Sequence, residues 1–170
     1  MRSTLSSLRA VLLAIGLVTF ALPNAVLAAP GTSVGAPFVA TYSGSAAFTS
    51  ATTIQSSGTG TARLLGATTS TGNTVIQGPD ASCPEGLATT STETLGATNG
   101  DVLIVTIHYR ACPVSTNVYH STGHWEVTGG AGRFLGATGQ GTAECDADFN
   151  QGRFTFTLVG RVVLANQDNQ

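Results

Sequence analysis

The residues from Arg153 to Leu164 alternate with a period of two, and no other feature of the chain restricts its fold as much. Phe154, Phe156, Leu158, Gly160, Val162 and Leu164 fall on one side, and Arg153, Thr155, Thr157 and Arg161 on the other. Successive side chains of a β-strand point to opposite faces, so one face of this strand suits a core and the other suits water. The rhythm recurs upstream. From Thr142 to Phe149, Ala143, Cys145, Ala147 and Phe149 oppose Thr142, Glu144, Asp146 and Asp148, and Asn150-Gln151-Gly152 reads as the hairpin turn between the two strands. His124 to Thr128 puts Trp125 and Val127 inside and His124 and Glu126 outside. Val102 to Cys112 has Leu103, Val105, Ile107, Tyr109 and Ala111 as its apolar set, against Thr106, His108 and Arg110.

Further strands are predicted at Leu87 to Leu95, which reaches Val102 through a hairpin at Gly96 to Gly100, at Phe38 to Thr49 and at Thr52 to Leu64, with a short one at Asn73 to Gln77. No stretch carries a sustained helical stripe, and β-branched Thr and Val dominate. About eight strands with short connections are expected of an up-and-down barrel or a sandwich.

The first 28 residues stand apart. Arg2 and Arg9 precede an apolar run from Ala10 to Leu22; Pro23 and Asn24 break it, and Val26-Leu27-Ala28 offers a cleavage site. The pattern is that of a secretory signal cleaved after Ala28, and the run is shorter than the roughly 20 residues of a membrane span. No Cys stands at the cleavage site, which argues against a lipoprotein anchor there. Residues 29–36 form a Pro/Gly/Ser entry segment, 37–165 the barrel domain and 166–170 a tail. The expected location is secreted or extracytoplasmic, with no membrane association after cleavage.

Beyond the signal the bases are Arg63, Arg110, Arg133, Arg153 and Arg161 against nine acids, so the net charge is 5 − 9 = −4. A weakly acidic surface without basic clusters gives no footprint for nucleic acid. Lys is absent, which removes Schiff-base chemistry, pyridoxal-phosphate anchoring and the Ser-x-x-Lys pair. In an oxidising compartment three cysteines suggest one bridge and one thiol. The hairpin near Asn99 and Gly100 brings Cys83 and Cys112 to neighbouring strand ends, so they are the predicted disulfide, with Cys145 a buried free thiol on the apolar face of its strand.

Several motifs fail on inspection. Gly130-x-Gly132 with Gly136 lacks the spacing and the helix of a dinucleotide loop. Asp146-x-Asp148-x-Asn150 starts like a calcium loop, but its glycine comes one place late and Thr157 stands where a bidentate Glu belongs. His120, Thr122 and His124 share a strand face, which reads as exposed histidine rather than a zinc site. No Gly-x-Ser-x-Gly elbow exists. Neither a metal nor a cofactor is expected, and no catalytic residue is assigned. Gly60 to Thr68 echoes Gly130 to Thr138 at an offset of 70, with Leu95 to Thr98 a shorter third copy; reuse of one turn chemistry explains it.

Parity also bears on function. Where faces can be assigned, Glu126, Glu144, Asp146, Asp148, Arg153 and Arg161 point outward, leaving Tyr42, Tyr109, Trp125, Phe154 and Phe156 with aliphatics for the interior. Only Arg110, His108 and Glu93 could be moved inside by a register error. Acid–base catalysis in a barrel needs an ionisable interior group, so the pattern weighs against an enzyme.

The stretch Trp125-Glu-Val-Thr-Gly129-Gly130-Ala-Gly132-Arg133-Phe134-Leu-Gly136-Ala137-Thr138-Gly139 resembles the signature of the allene oxide cyclase and dirigent-type barrels, with Ala131 where the family usually has Thr. It is most similar to small secreted bacterial members. The resemblance implies an eight-stranded antiparallel, up-and-down, calycin-like barrel with an apolar interior and Phe134 plugging one end. Those enzymes cyclise an epoxide, and dirigent proteins orient phenoxy radicals, but none of their polar catalytic residues falls at a matching position here. The expectation is therefore a non-enzymatic barrel that binds a small apolar molecule through Tyr42, Tyr109, Trp125, Phe154 and Phe156, or that packs its interior completely. The alternatives are a cyclase- or isomerase-like enzyme using the barrel as a mould, and a structural or cell-surface interaction module. The oligomeric state is left open. A cavity below about 100 Å3 would leave no room for a substrate, since ligand pockets usually reach about 300 Å3.

Overall fold

The computed structural model describes residues 35–165; the expected signal at 1–28, the expected entry segment up to residue 34 and the expected tail at 166–170 lie outside the described residues. Eight strands follow in chain order: β1 (Ala36–Phe48), β2 (Thr53–Ala62), β3 (Gly66–Asp80), β4 (Gly86–Ala97), β5 (Val102–Ser115), β6 (Val118–Ala131), β7 (Thr138–Asp148) and β8 (Arg153–Val163). Each pairs antiparallel with its neighbours in sequence, and β1 closes on β8, so the sheet is a closed up-and-down barrel. Among the described residues no helix is long and apolar enough to cross a membrane.

Alternation places the side chains as the sequence indicates. Phe154, Phe156, Leu158 and Val162 of β8 are buried, as are Leu103, Val105, Ile107, Tyr109 and Ala111 of β5. Glu126, Glu144, Asp146, Arg153 and Arg161 are exposed. Most strand boundaries differ from the sequence reading by a few residues, and three differences bear on the site. β1 starts two residues earlier than the expected Phe38, at Ala36, inside the expected entry segment. β6 starts at Val118 rather than His124. β3 is 15 residues long rather than a short strand at Asn73 to Gln77. Its inward side chains include Thr68, Ser70, Gly72 and Thr74, so polarity does not alternate although the backbone does.

The two ends of the barrel are built differently. At one end, joined by the β2–β3, β4–β5 and β6–β7 connections, the interior is filled. Trp125 and Phe38 are fully buried, with their rings 5.5 Å apart edge to face. The indole lies across Gly141 and Gly160, cross-strand partners on β7 and β8, and donates from Nε1 to Val159 O at 3.3 Å. A Cβ on Gly160 would stand 2.7 Å from Trp125 Cζ2, so these two positions must be glycine for the ring to fit. A short 3-10 turn, Gly132–Phe134, buries Phe134 completely. Arg133 Nε donates to Asp101 Oδ2 at 2.6 Å, and its Nη2 donates to Leu64 O at 3.0 Å. The three echoed segments all lie at this end, where Arg133 of one copy is bonded to Leu64 of another.

At the opposite end, which carries the β1–β2, β3–β4, β5–β6 and β7–β8 hairpins, Cys83 and Cys112 are within bonding distance, with Sγ atoms 2.07 Å and Cα atoms 5.9 Å apart. The pair ties the β3–β4 turn to β5. Gly152 takes the left-handed φ of +64° in the β7–β8 turn, where Asp148 Oδ1 accepts from the backbone N–H groups of Asn150 and Gln151. Asp146 accepts from His120 Nδ1 at 2.8 Å on the outer face.

Candidate functional site

A cavity of about 90 Å3, partly open to solvent, lies inside the hairpin end. Its mouth is formed by Phe48, Ile54, Ile76, Leu87, Tyr119 and Phe149. Three of these form an aromatic rim: Phe149 has Phe48 at 4.7 Å and Tyr119 at 6.0 Å between ring centroids. Phe48 is 49% exposed at this rim. Deeper in the barrel stand Phe154 and Phe156, stacked at 5.6 Å, with Tyr109 and Cys145.

The floor holds a carboxyl group. Parity along β4 sends Leu87, Thr89, Ser91, Glu93 and Leu95 to the same face, and Glu93 is 4% exposed. Its Oε2 accepts from Ser70 Oγ at 2.7 Å, and its Oε1 accepts from Ser91 Oγ at 3.0 Å and from Ser56 Oγ at 3.4 Å. Those serines come from β3, β4 and β2, so three adjacent strands combine in one cluster. Gly72, the β3 partner of Glu93, has no Cβ, and one there would overlap Glu93 Oε1. The glycine thus makes the space in which the carboxyl lies. Burial pushes the Glu93 carboxyl above the usual glutamate value, and the bonds from Ser70, Ser91 and Ser56 offset part of that rise.

This corrects the expectation that no ionisable group faces inward. Glu93 is inside, whereas His108 and Arg110 of β5 are exposed. The reason is compositional: the inward positions of β4 are Thr, Ser and Glu between two leucines, so the strand shows no apolar face. The signal was present in the even spacing from Leu87 to Leu95. Ser56, Ser70 and Ser91 were missed for the same reason.

The five residues assigned to the interior are all buried, but the structure does not bring them together. Tyr109, Phe154 and Phe156 line the cavity. Tyr42 lies beneath it, stacked on Phe156 at 4.9 Å, with its hydroxyl 2.7 Å from Thr68 Oγ1. Trp125 belongs to the filled end. The Cys145 thiol, on the cavity wall, is pushed up to about 12 by burial, and remains a neutral thiol at physiological pH. The Tyr109 hydroxyl is likewise raised by burial, with Cys145 and Glu93 adding to the effect. Among the described residues no group of His, Cys, Asp and Glu is placed to hold a metal ion. The arrangement can therefore receive a small apolar group against aromatic rings and meet one polar atom at the floor. No family model matches the chain, and no curated protein or solved structure matches it.

Proposed function

We propose that the protein is a non-enzymatic barrel that binds one small, largely apolar molecule at its hairpin end. The observation that carries the reading is the half-open cavity whose aromatic rim and walls surround a single carboxyl. At roughly 15 Å3 per water-sized position, 90 Å3 corresponds to about six heavy atoms. That is below the 100 Å3 bound for a substrate and well below the roughly 300 Å3 of an ordinary ligand pocket. The ligand is accordingly a small molecule, or the end of a longer one whose remainder rests on Phe48, Tyr119 and Phe149.

A second reading, a cyclase- or isomerase-like enzyme, is favoured by one observation, the inward Glu93 carboxyl. The cavity volume weighs against it. Kinship with the allene oxide cyclase and dirigent-type barrels is part of the same proposal, supported by the eight-strand barrel and by Phe134 buried at the filled end. So is secretion, with which a bonded Cys83–Cys112 pair is compatible.

Native mass spectrometry of the protein isolated from its own host tests the reading. The expected result is a retained small molecule that is lost in an Ala147→Phe variant, whose new ring fills the cavity. A ligand-free mass, together with no change in melting temperature on adding small apolar compounds, would overturn it.

A further inference from the structure

The charge inside the pocket is unbalanced. Glu93 is the carboxyl at the floor, and no Arg or His is among the side chains that line the cavity. Two ion pairs form among the described residues, and neither includes Glu93. The partners it does have are hydroxyls, all three donating. A carboxylate offers about four lone-pair positions and no donor, so three donors suit the ionised form and leave about one acceptor position free. With two bonds on Oε1 and one on Oε2, that position lies on Oε2. A buried carboxylate without a counter-charge is costly, and the cost falls when a cation is placed beside it.

The walls suit the same partner. Phe154, Phe156 and Tyr109 line the space above the floor, an apolar aromatic wall against which the hydrocarbon part of a small cation can pack. An anion would meet the Glu93 carboxylate in a confined apolar space, and a neutral hydrocarbon would leave the charge uncompensated.

We propose that the ligand is a small organic ammonium ion, its N–H donating to Glu93 Oε2 and its hydrocarbon part packed on Phe154, Phe156 and Tyr109. The inference rests on the cavity being a ligand site and adds the chemical class. The titratable groups near Glu93 are Tyr42 from β1, Tyr109 from β5 and Cys145 from β7, with Tyr119 from β6 farther out at the mouth, while β2, β3 and β8 present none to the cavity. Phenols and thiols are neutral at physiological pH, so Glu93 alone changes charge in the pocket below neutrality.

The test is calorimetric or NMR titration of the full chain with n-butylammonium, n-butanol and butanoate, three probes of similar size and different charge. At pH 7 the ammonium should bind at least about tenfold more tightly than the alcohol, and butanoate more weakly than either. The ammonium affinity should fall as the pH is lowered through the Glu93 titration, while the alcohol affinity changes little. Glu93→Gln should bring the ammonium down to the level of the alcohol. The pH dependence in the unaltered protein carries the test if that variant does not fold. Alcohol binding equal to or tighter than ammonium binding, or ammonium binding independent of pH, would overturn the assignment and leave the cavity as a ligand site. Failure of all three probes to shift the resonances of Ile54, Ile76 or Ala147 would overturn the ligand site itself.

Discussion

The two ends of the barrel each bury a carboxylate, and they satisfy it in opposite ways. Asp101, at the filled end, receives the Arg133 backbone N–H at 3.0 Å, the Arg133 guanidinium at 2.6 Å and an amide N–H of Asn99 at 2.9 Å. These bonds, those from Arg133 first, hold its carboxyl below the usual aspartate value. Glu93, at the hairpin end, has serine hydroxyls alone, and burial moves it the other way. One end uses its charge to fasten a turn over a packed core. The other keeps a charge that its own side chains do not neutralise, at the floor of a cavity. Structural charges are normally paired, and unpaired ones concentrate where a protein meets something else.

Truncation should separate the ends most clearly. Trp125→Ala removes a fully buried ring from the filled end and should cost about 3–5 kcal/mol in denaturant unfolding. Phe48→Ala, half exposed at the mouth, should cost about 1 kcal/mol. Equal losses would mean that the mouth is as tightly packed as the core. Next in size is the Cys83–Cys112 pair, which closes a loop of 29 residues; replacing both with Ala should lower stability by up to about 3.5 kcal/mol on the chain-entropy view.

Glycine substitutions sharpen the contrast. A Cβ at Gly160 meets fixed neighbours, Gly141 Cα and the Trp125 ring, both at 2.7 Å. Gly160→Ala should therefore cost about 1–3 kcal/mol in the same unfolding assay. A Cβ at Gly72 meets the movable end of Glu93. Gly72→Ala should cost less, below about 1 kcal/mol, while displacing the carboxyl and changing its titration.

The smallest effect is in the pH dependence, and its sign differs between the ends. Asp101 has a lowered pKa, so its stabilisation is present above the unfolded-state value and lost as the pH falls through the folded one. Glu93 has a raised pKa, so between its unfolded and folded values the native state holds the extra proton. Stability then falls as the pH rises across that window. Glu93→Gln should abolish that fall and Asp101→Asn the acid-side loss, as read by melting temperature between about pH 3 and 7. Slopes of the same sign for the two variants would remove the distinction between the ends.

How much of this was legible follows from which strands hide apolar side chains. β5 and β8 keep apolar residues at almost every inward position and gather their charged and most of their polar residues outward, so their faces could be read directly and the barrel inferred, although Ile104 and Val159 also face out. β3 and β4 put Thr, Ser, Gly and Glu on the inside, and there hydrophobic alternation carries no information. The pocket floor is made of those strands, which is why Glu93 and its serines were not found while Tyr109, Phe154 and Phe156 were. Trp125 was placed inside correctly, but depth along the barrel depends on register between strands, which parity does not give.

The central claim is that Glu93 is a buried carboxyl without a counter-charge inside the hairpin end, and carbon-13 NMR titration of its side-chain carboxyl in the ligand-free protein tests it most directly. The expected midpoint lies above the ordinary 4.5 and moves down when n-butylammonium is added. A midpoint at or below 4.5 would contradict it, since that would mean the carboxyl is solvated or already has a cationic partner.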